Sequence, residues 1–337
     1  GSRNKIINGA MVIDQRNAGS AVNISAGTTT YSLDRYAFFS GTTSAVATIQ
    51  QDSSAPANFT NSLKISVNTA DASVAADDRA RITQRIEGYN FADLNYGSAS
   101  ARTLTLSFWV KSNLTDTFSV VFYNAANNRM MLKTYTTEVA NTWEQKTITI
   151  TGDTTGTWLK TNGNGINIAF NLMAGSSQQG TADSWQAAVG AYGTSSQANL
   201  FSSTSNTFYL TGVQLEVGST ATDFEHRSIG EELALCQRYF QFVGNFSAIG
   251  QSTTQLVASL NYQTAMRAAP TLSVQGVIQV GSGTADHVQS SAAISSLTTD
   301  AFSSICFLAN MTPNVVAKDP YIMRVANGNK IELAAEL

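Results

Sequence analysis

Alternation with a period of two runs through most of this chain, and it limits the possible folds more than any other feature. In "TLTLSFWVKS", Leu104, Leu106, Phe108 and Val110 fall on one side, and Thr105, Ser107, Trp109 and Lys111 on the other. That is the signature of a strand with one buried face. "NSLKISVN" repeats it with Leu63, Ile65 and Val67, "ARITQRIEG" with Ile82 and Ile86, "TFSVVFYN" with Phe118, Val120 and Phe122, and "GINIAFNLM" with Ile166, Ile168, Phe170 and Leu172. Turn-forming stretches such as "GDTTG", "NGNG" and "AGSSQQG" separate these runs, as in an antiparallel sandwich. In "NTFYLTGVQLEVG" the phase slips: Phe208 and Leu210 are even, whereas Val213, Leu215 and Val217 are odd. Gly212 sits at the slip, which predicts a bulge that keeps the apolar face inward on both sides.

Near residue 218 the period changes. "GEELALCQRYFQFV" has Leu233, Cys236, Gln237 and Phe240 near helical spacing, with Glu231 and Glu232 at its start and Arg238 later, which suits the helix dipole. It is the single convincing helix, expected over 230–243. Alternation returns in "TQLVASLNYQTAM", "PTLSVQGVIQVGSG", "SICFLANMT" and "YIMRVANGNKIELAAEL", so a smaller, second all-β block is expected. No solenoid repeat or heptad pattern interrupts this order.

The 337 residues suffice for two domains. Charged residues are only 13% of the chain, so Ser, Thr, Asn, Gln and Gly must cover its surface. The 20 basic residues are scattered and the net charge is -3, which argues against a nucleic-acid partner. No apolar run approaches the roughly 18 residues that span a bilayer, so membrane insertion is not expected. Cys236 and Cys306 are expected to be reduced and buried. Gly1 and Ser2 look like an expression scar, which implies a piece of a longer parent.

Two stretches resemble a known family. "NKIINGAMVIDQRNAG", with "YSLDRYAF" soon after, resembles the start of a domain common in bacteriophage tail-fibre and virion attachment proteins. "GVQLEVGSTATDFEHRSIGEELALCQRYF" resembles that domain's end, and "TAMRAAPTLSV" is similar to the segment that comes after its helix. Between them, "RTLTLSFWVKSN", "WEQKTITITGDTTGTW" and "FYLTGVQLEVG" are similar to jelly-roll carbohydrate-binding modules. The resemblance covers most of the chain. It implies an all-β fold: a jelly-roll β-sandwich over 3–220, a linker and helix over 221–244, and a smaller C-terminal β domain over 245–337. It further implies a virion fibre or receptor-binding protein, assembled in the host cytoplasm as a homotrimer, that recognises a host-surface polysaccharide or lipopolysaccharide. Such modules often place an acidic calcium ligand on the last strand. Here that region reads "LTGVQL", so no cofactor is expected and a structural calcium is not indicated.

The residues themselves offer few catalytic constellations. Asp223, Glu225, His226, Glu231 and Glu232 include enough carboxylates for acid and base work on a sugar. However, Arg227 lies beside Glu225, and Glu231 and Glu232 stand where a helix start prefers anions, so the segment reads as a joint. With two histidines, His226 and His287, and no G-x-S-x-G elbow, a serine triad is not supported. Zinc spacing, a calcium loop and a phosphate-binding glycine loop are also missing. Trp109 and Tyr123 fall opposite core positions, as do Asn167 and Asn171, and an aromatic plate beside amides suits the apolar face and hydroxyl rim of a sugar. A second layer or a subunit neighbour would account for these rings equally well. Trp185 and Tyr192, in the Gly/Ser/Thr-rich insertion, are the loop alternative. The fallback is the "GSGTADHVQSSA" loop. The expected function is non-catalytic glycan recognition, with a glycan depolymerase or a purely structural virion decoration protein as alternatives.

Overall fold

The computed structural model describes residues 3–24, 26–187, 190–244, 246–281, 286–289, 293–324 and 330–337. Gly1 and Ser2 lie outside them, as do 282–285 and 290–292 of the fallback loop. Contacts group the chain into one unit of Gly1–Glu232 with Leu337 and another of Leu233–Glu336. The fold is all-β, a jelly-roll sandwich with a smaller β region after it and two short helices.

The first unit is built from thirteen strands in chain order: β1 (Val22–Ile24), β2 (Thr29–Tyr31), β3 (Ala37–Gly41), β4 (Val46–Asp52), β5 (Ser62–Thr69), β6 (Arg79–Glu87), β7 (Leu104–Ser112), β8 (Thr117–Tyr123), β9 (Met130–Thr136), β10 (Glu144–Ile150), β11 (Asn164–Ala174), β12 (Trp185–Gln186) and β13 (Thr207–Val217). One sheet has the order β1-β4-β5-β13-β7-β10 and the other β12-β9-β8-β11-β6-β3-β2. Their facing sides form one core. Phe108 of β7 meets Tyr135 and Phe170 of the opposite sheet with ring centroids 4.9 and 5.1 Å apart, edge to face. The alternating positions named above, Leu104 through Val110 and Ile166 through Leu172, are fully buried in that core. A turn of helix, α1 (Gly88–Phe91), follows β6.

The slip at Gly212 is a bulge. The pairing of β13 with β7 shifts between Thr211 and Gln214, Gly212 has φ +60°, and Phe208, Leu210, Val213 and Leu215 are all buried. The start of the chain, over residues 3–21, forms no strand. Asn8 and Met11 both have φ +59°. The Asn8 carboxamide donates to Ile13 O and Asp34 O and accepts from Ile13 N, while Ile6 and Met11 enter the core. A ladder cannot run through two left-handed residues.

The helix is also shorter than its periodicity predicts. α2 covers Ile229–Gln237, and β14 (Phe240–Val243) follows at once, paired with β24 (Lys330–Ala334) from Phe240 opposite Ala334 to Val243 opposite Ile331. In "FQFV" the aromatic alternation suits a ladder, and that pairing overrides a helical spacing carried by single residues. Within the second unit, β24 also pairs with β17 (Thr271–Gln275). An eight-stranded sheet holds the rest: β15 (Ser247–Gly250), β16 (Leu256–Asn261), β18 (Gln279–Gly281), β19 (Asp286–Gln289), β20 (Ile294–Thr299), β21 (Ser303–Leu308), β22 (Met311–Thr312) and β23 (Pro320–Arg324). Cys236 and Cys306 are buried and form no disulfide, and burial pushes the Cys306 thiol up to about 11. Among the described residues no helix is long and apolar enough to cross a membrane.

Candidate functional site

The joint after β13 divides its side chains. Glu225 and Arg227 turn to the body of the first unit. The Glu225 carboxylate accepts the backbone N–H groups of Arg3 and Asn4 at 3.2 and 2.8 Å, and the Arg227 guanidinium lies 3.2 Å from Glu232 and 3.7 Å from Glu225. Glu232 also accepts Asn8 N–H at 2.6 Å, and Ser228 Oγ accepts Glu231 N–H at 3.3 Å at the start of α2. These charges are held by structure. Phe224 and His226 turn the other way, with ring centroids 4.8 Å apart, and Phe59 from the β4–β5 connection packs 5.0 Å from Phe224 and 5.3 Å from His226.

Those three rings line an open groove of about 610 Å³ together with Trp109 of β7, Gln145 of β10, Asn58 and Asp223. Trp109 and Gln145 are direct cross-strand partners. Phe108 and Val110 are core, so Trp109 stands on the outer face of the six-stranded sheet, half-buried. Gly212 makes this packing possible: a Cβ there would sit 2.8 Å from Phe59 Cζ and 2.9 Å from Trp109 Cδ1. The groove thus combines flat apolar rings with an amide, a carboxylate and an imidazole, a set suited to the C–H face and hydroxyls of a sugar.

Further along the same face, Tyr209 of β13 lies opposite both Lys64 of β5 and Lys111 of β7, and Trp143 precedes β10. Trp143 and Tyr209 have centroids 6.0 Å apart. The outer face therefore carries two aromatic groups, one around Trp109 and one around Tyr209. A separate depression of about 530 Å³ involves Arg3, Lys5, Asp93 and Glu216. Its charges are spoken for: Lys5 pairs with Asp93 at 3.0 Å, and Glu216 accepts from Thr222 and Gln214. Among the described residues no group of three or more His, Cys, Asp or Glu side chains is placed to hold a metal.

Of the six residues expected to bind sugar, Trp109 alone lines the groove, and Asp223 and His226 of the joint line it as well. Tyr123, Asn167, Asn171 and Tyr192 are buried, which corrects the expectation that they face a ligand. Residues 175–187 and 190–198 fold over the outer face of the seven-stranded sheet, and Tyr123 and Tyr192 join Val121, Met130, Leu132, Ala169 and Ala191 in a second small core. Asn167 donates to Tyr123 O and Asn124 O and accepts from Asn164. Asn171 is enclosed against Gly193. Trp185 is half-buried rather than displayed: its indole N–H donates to Thr151 O at 2.8 Å, and its ring packs on Trp158 and Tyr96 with centroids 5.5 and 5.9 Å apart. His287 of the fallback loop is buried against Tyr321.

Phe59, Phe224, Trp143 and Tyr209 were not anticipated. Parity carried a signal for Tyr209, which lies between Phe208 and Leu210. Phe59 lies in the β4–β5 connection, and its approach to Trp109 is a long-range contact that no local pattern reports.

No protein-family model matches this chain, and no curated protein does. Among solved structures, the enzymatically active domain of tailspike protein 4 of bacteriophage CBA120 is similar at a TM-score of 0.32 and 16% identity, over 64% of this chain and 22% of that one. The family 11 carbohydrate-binding module of a cellulosomal cellulase of Clostridium thermocellum matches at 0.30 and 14%, over 59% and 99%. TmCBM61, in complex with β-1,4-galactotriose, matches at 0.31 and 10%, over 64% and 100%. The match spans about a fifth of the tailspike domain.

Proposed function

We propose that this chain is a non-catalytic glycan-binding protein of a virion fibre, and that it grips a host-surface polysaccharide or lipopolysaccharide on the outer face of the six-stranded sheet. The groove around Trp109 carries this reading: three further rings, Phe59, Phe224 and His226, with Gln145 and Asp223, converge on a half-exposed indole that the core does not need. The virion setting rests on the sequence resemblance at the two ends of the first domain. A homotrimer belongs to the same reading, supported by the low share of charge and by exposed Ile249, Ile305 and Ile322 on the second unit.

A glycan array on the intact protein, repeated with Trp109→Ala, tests the proposal. Trp109→Ala is expected to weaken binding by about 1 to 3 kcal/mol without lowering the melting temperature, the scale of one ring at a recognition site. Unchanged binding would move the site off this face. Sedimentation of the same sample at micromolar concentration bears on assembly, where a 35.8 kDa species would reject the trimer. The depolymerase alternative draws on Asp223 and His226 sharing the groove, and shortened saccharides after incubation would favour it.

A further inference from the structure

On the outer face of the six-stranded sheet, Lys64, Tyr209, Lys111 and Trp143 form a row across neighbouring strands. The Lys111 ammonium sits 4.2 Å from the Tyr209 ring centroid and 5.2 Å from that of Trp143, and it donates to Ser54 Oγ at 2.7 Å. Lys64 lies 5.4 Å from the Tyr209 centroid. The carboxylate of this row, Asp52, is 3.6 Å from Lys64. Among the described residues Lys111 makes no ion pair, so the row carries one positive charge more than it compensates, on a chain whose net charge is -3.

That charge is held at a cost. Partial burial lowers the Lys111 ammonium below its ordinary value, Asp52 acts against that, and the neighbouring Lys64 adds to it. An anion at Lys111 would offset both the desolvation and the repulsion by favouring the charged ammonium. Trp109 is two residues away on the same face of β7, about 7 Å along the strand. A saccharide chain stacked on Trp109 and running along β7 would reach Lys111 within about two sugar units.

We infer that the glycan taken by this face is an acidic one, with a sugar carboxylate seated at Lys111 between Tyr209 and Trp143 while a neighbouring ring lies on Trp109. This rests on the proposal that the face binds saccharide. A neutral chain would meet an unpaired ammonium with hydroxyls alone, and such bonds are weaker than a charge-assisted one.

The test is calorimetric titration of the intact protein with oligosaccharides from polygalacturonate, alginate and hyaluronan, each paired with its carboxyl-reduced counterpart. At least one acidic member is expected to bind about twofold to fivefold more tightly than its reduced form, the range for a partly screened charge pair. Lys111→Gln is expected to erase that advantage, Lys111→Arg to keep most of it, and added salt to shrink it, whereas Trp109→Ala weakens both forms alike. Equal affinity for acidic and reduced forms, or a preference that survives Lys111→Gln, overturns the acidic assignment and leaves the sheet-face site standing. Binding that ignores Trp109→Ala overturns the sheet-face site itself. Binding of no pair, in either form, overturns both.

Discussion

Arg227 shows how single residues decide what the joint is for. Its guanidinium is buried, donates to Ile6 O at 2.9 Å and lies against Glu232, which is itself buried and takes the Asn8 N–H. Removing one partner of such a pair strands a charge away from water. Glu232→Gln is therefore expected to cost about 3 kcal/mol. Glu231, one position earlier, is exposed and adds only its charge near the start of α2, so Glu231→Gln is expected to cost under about 1 kcal/mol. Glu225→Gln is expected to fall between them, at about 1 to 2 kcal/mol, since the two carboxylate oxygens accept separately from Arg3 and Asn4 and the amide keeps only one of those bonds, while the pair with Arg227 is longer. Urea titration of the three variants settles the order, and a larger loss for Glu231 than for Glu232 would contradict it. The sequence reads this cluster as a joint, because a carboxylate beside an arginine and two more at a helix start have structural uses at hand. It did not separate Glu231 from Glu232, since which of two adjacent side chains turns inward depends on the chain packed against them.

β13 is the element on which fold and site depend together. Its bulge keeps the core side continuous, and the same Gly212 leaves the outer side bare where Phe59 and Trp109 close in. Gly212→Ala must adopt a left-handed conformation and also push on two rings, so a loss of about 2 kcal/mol is expected together with weaker glycan binding. Thermal unfolding and array binding of that variant check both halves. A variant as stable as the parent would mean the rings yield freely and the groove is not preorganised. The bulge was legible from parity because both flanks of the strand bury apolar residues in one core. The burial of Tyr123, Asn167 and Asn171 was not, since alternation tells which side faces the core and nothing about what covers the other side. A hint existed in β8, where Val121 is apolar at an outward position between Val120 and Phe122, and a strand apolar on both faces is a strand covered on both.

At the scale of the whole molecule, the distribution of tryptophan separates the candidate sites. All four, Trp109, Trp143, Trp158 and Trp185, belong to the first unit, and so does the groove. Tryptophan emission during denaturation therefore reports the first unit, whereas far-ultraviolet circular dichroism reports strands of both. A ligand bound only by the native first unit stabilises it by RT ln(1 + [L]/Kd), about 2.7 kcal/mol at one hundred times Kd. The tryptophan-detected urea transition is accordingly expected to move to higher denaturant when a binding glycan is added, with an unchanged slope. In Trp109→Ala the three remaining tryptophans still report unfolding, and at the same glycan concentration the shift should fall by the affinity lost. A glycan that binds at saturating concentration yet leaves the tryptophan transition in place would locate its site away from the first unit, and the outer face of the six-stranded sheet would then be ruled out as the recognition surface.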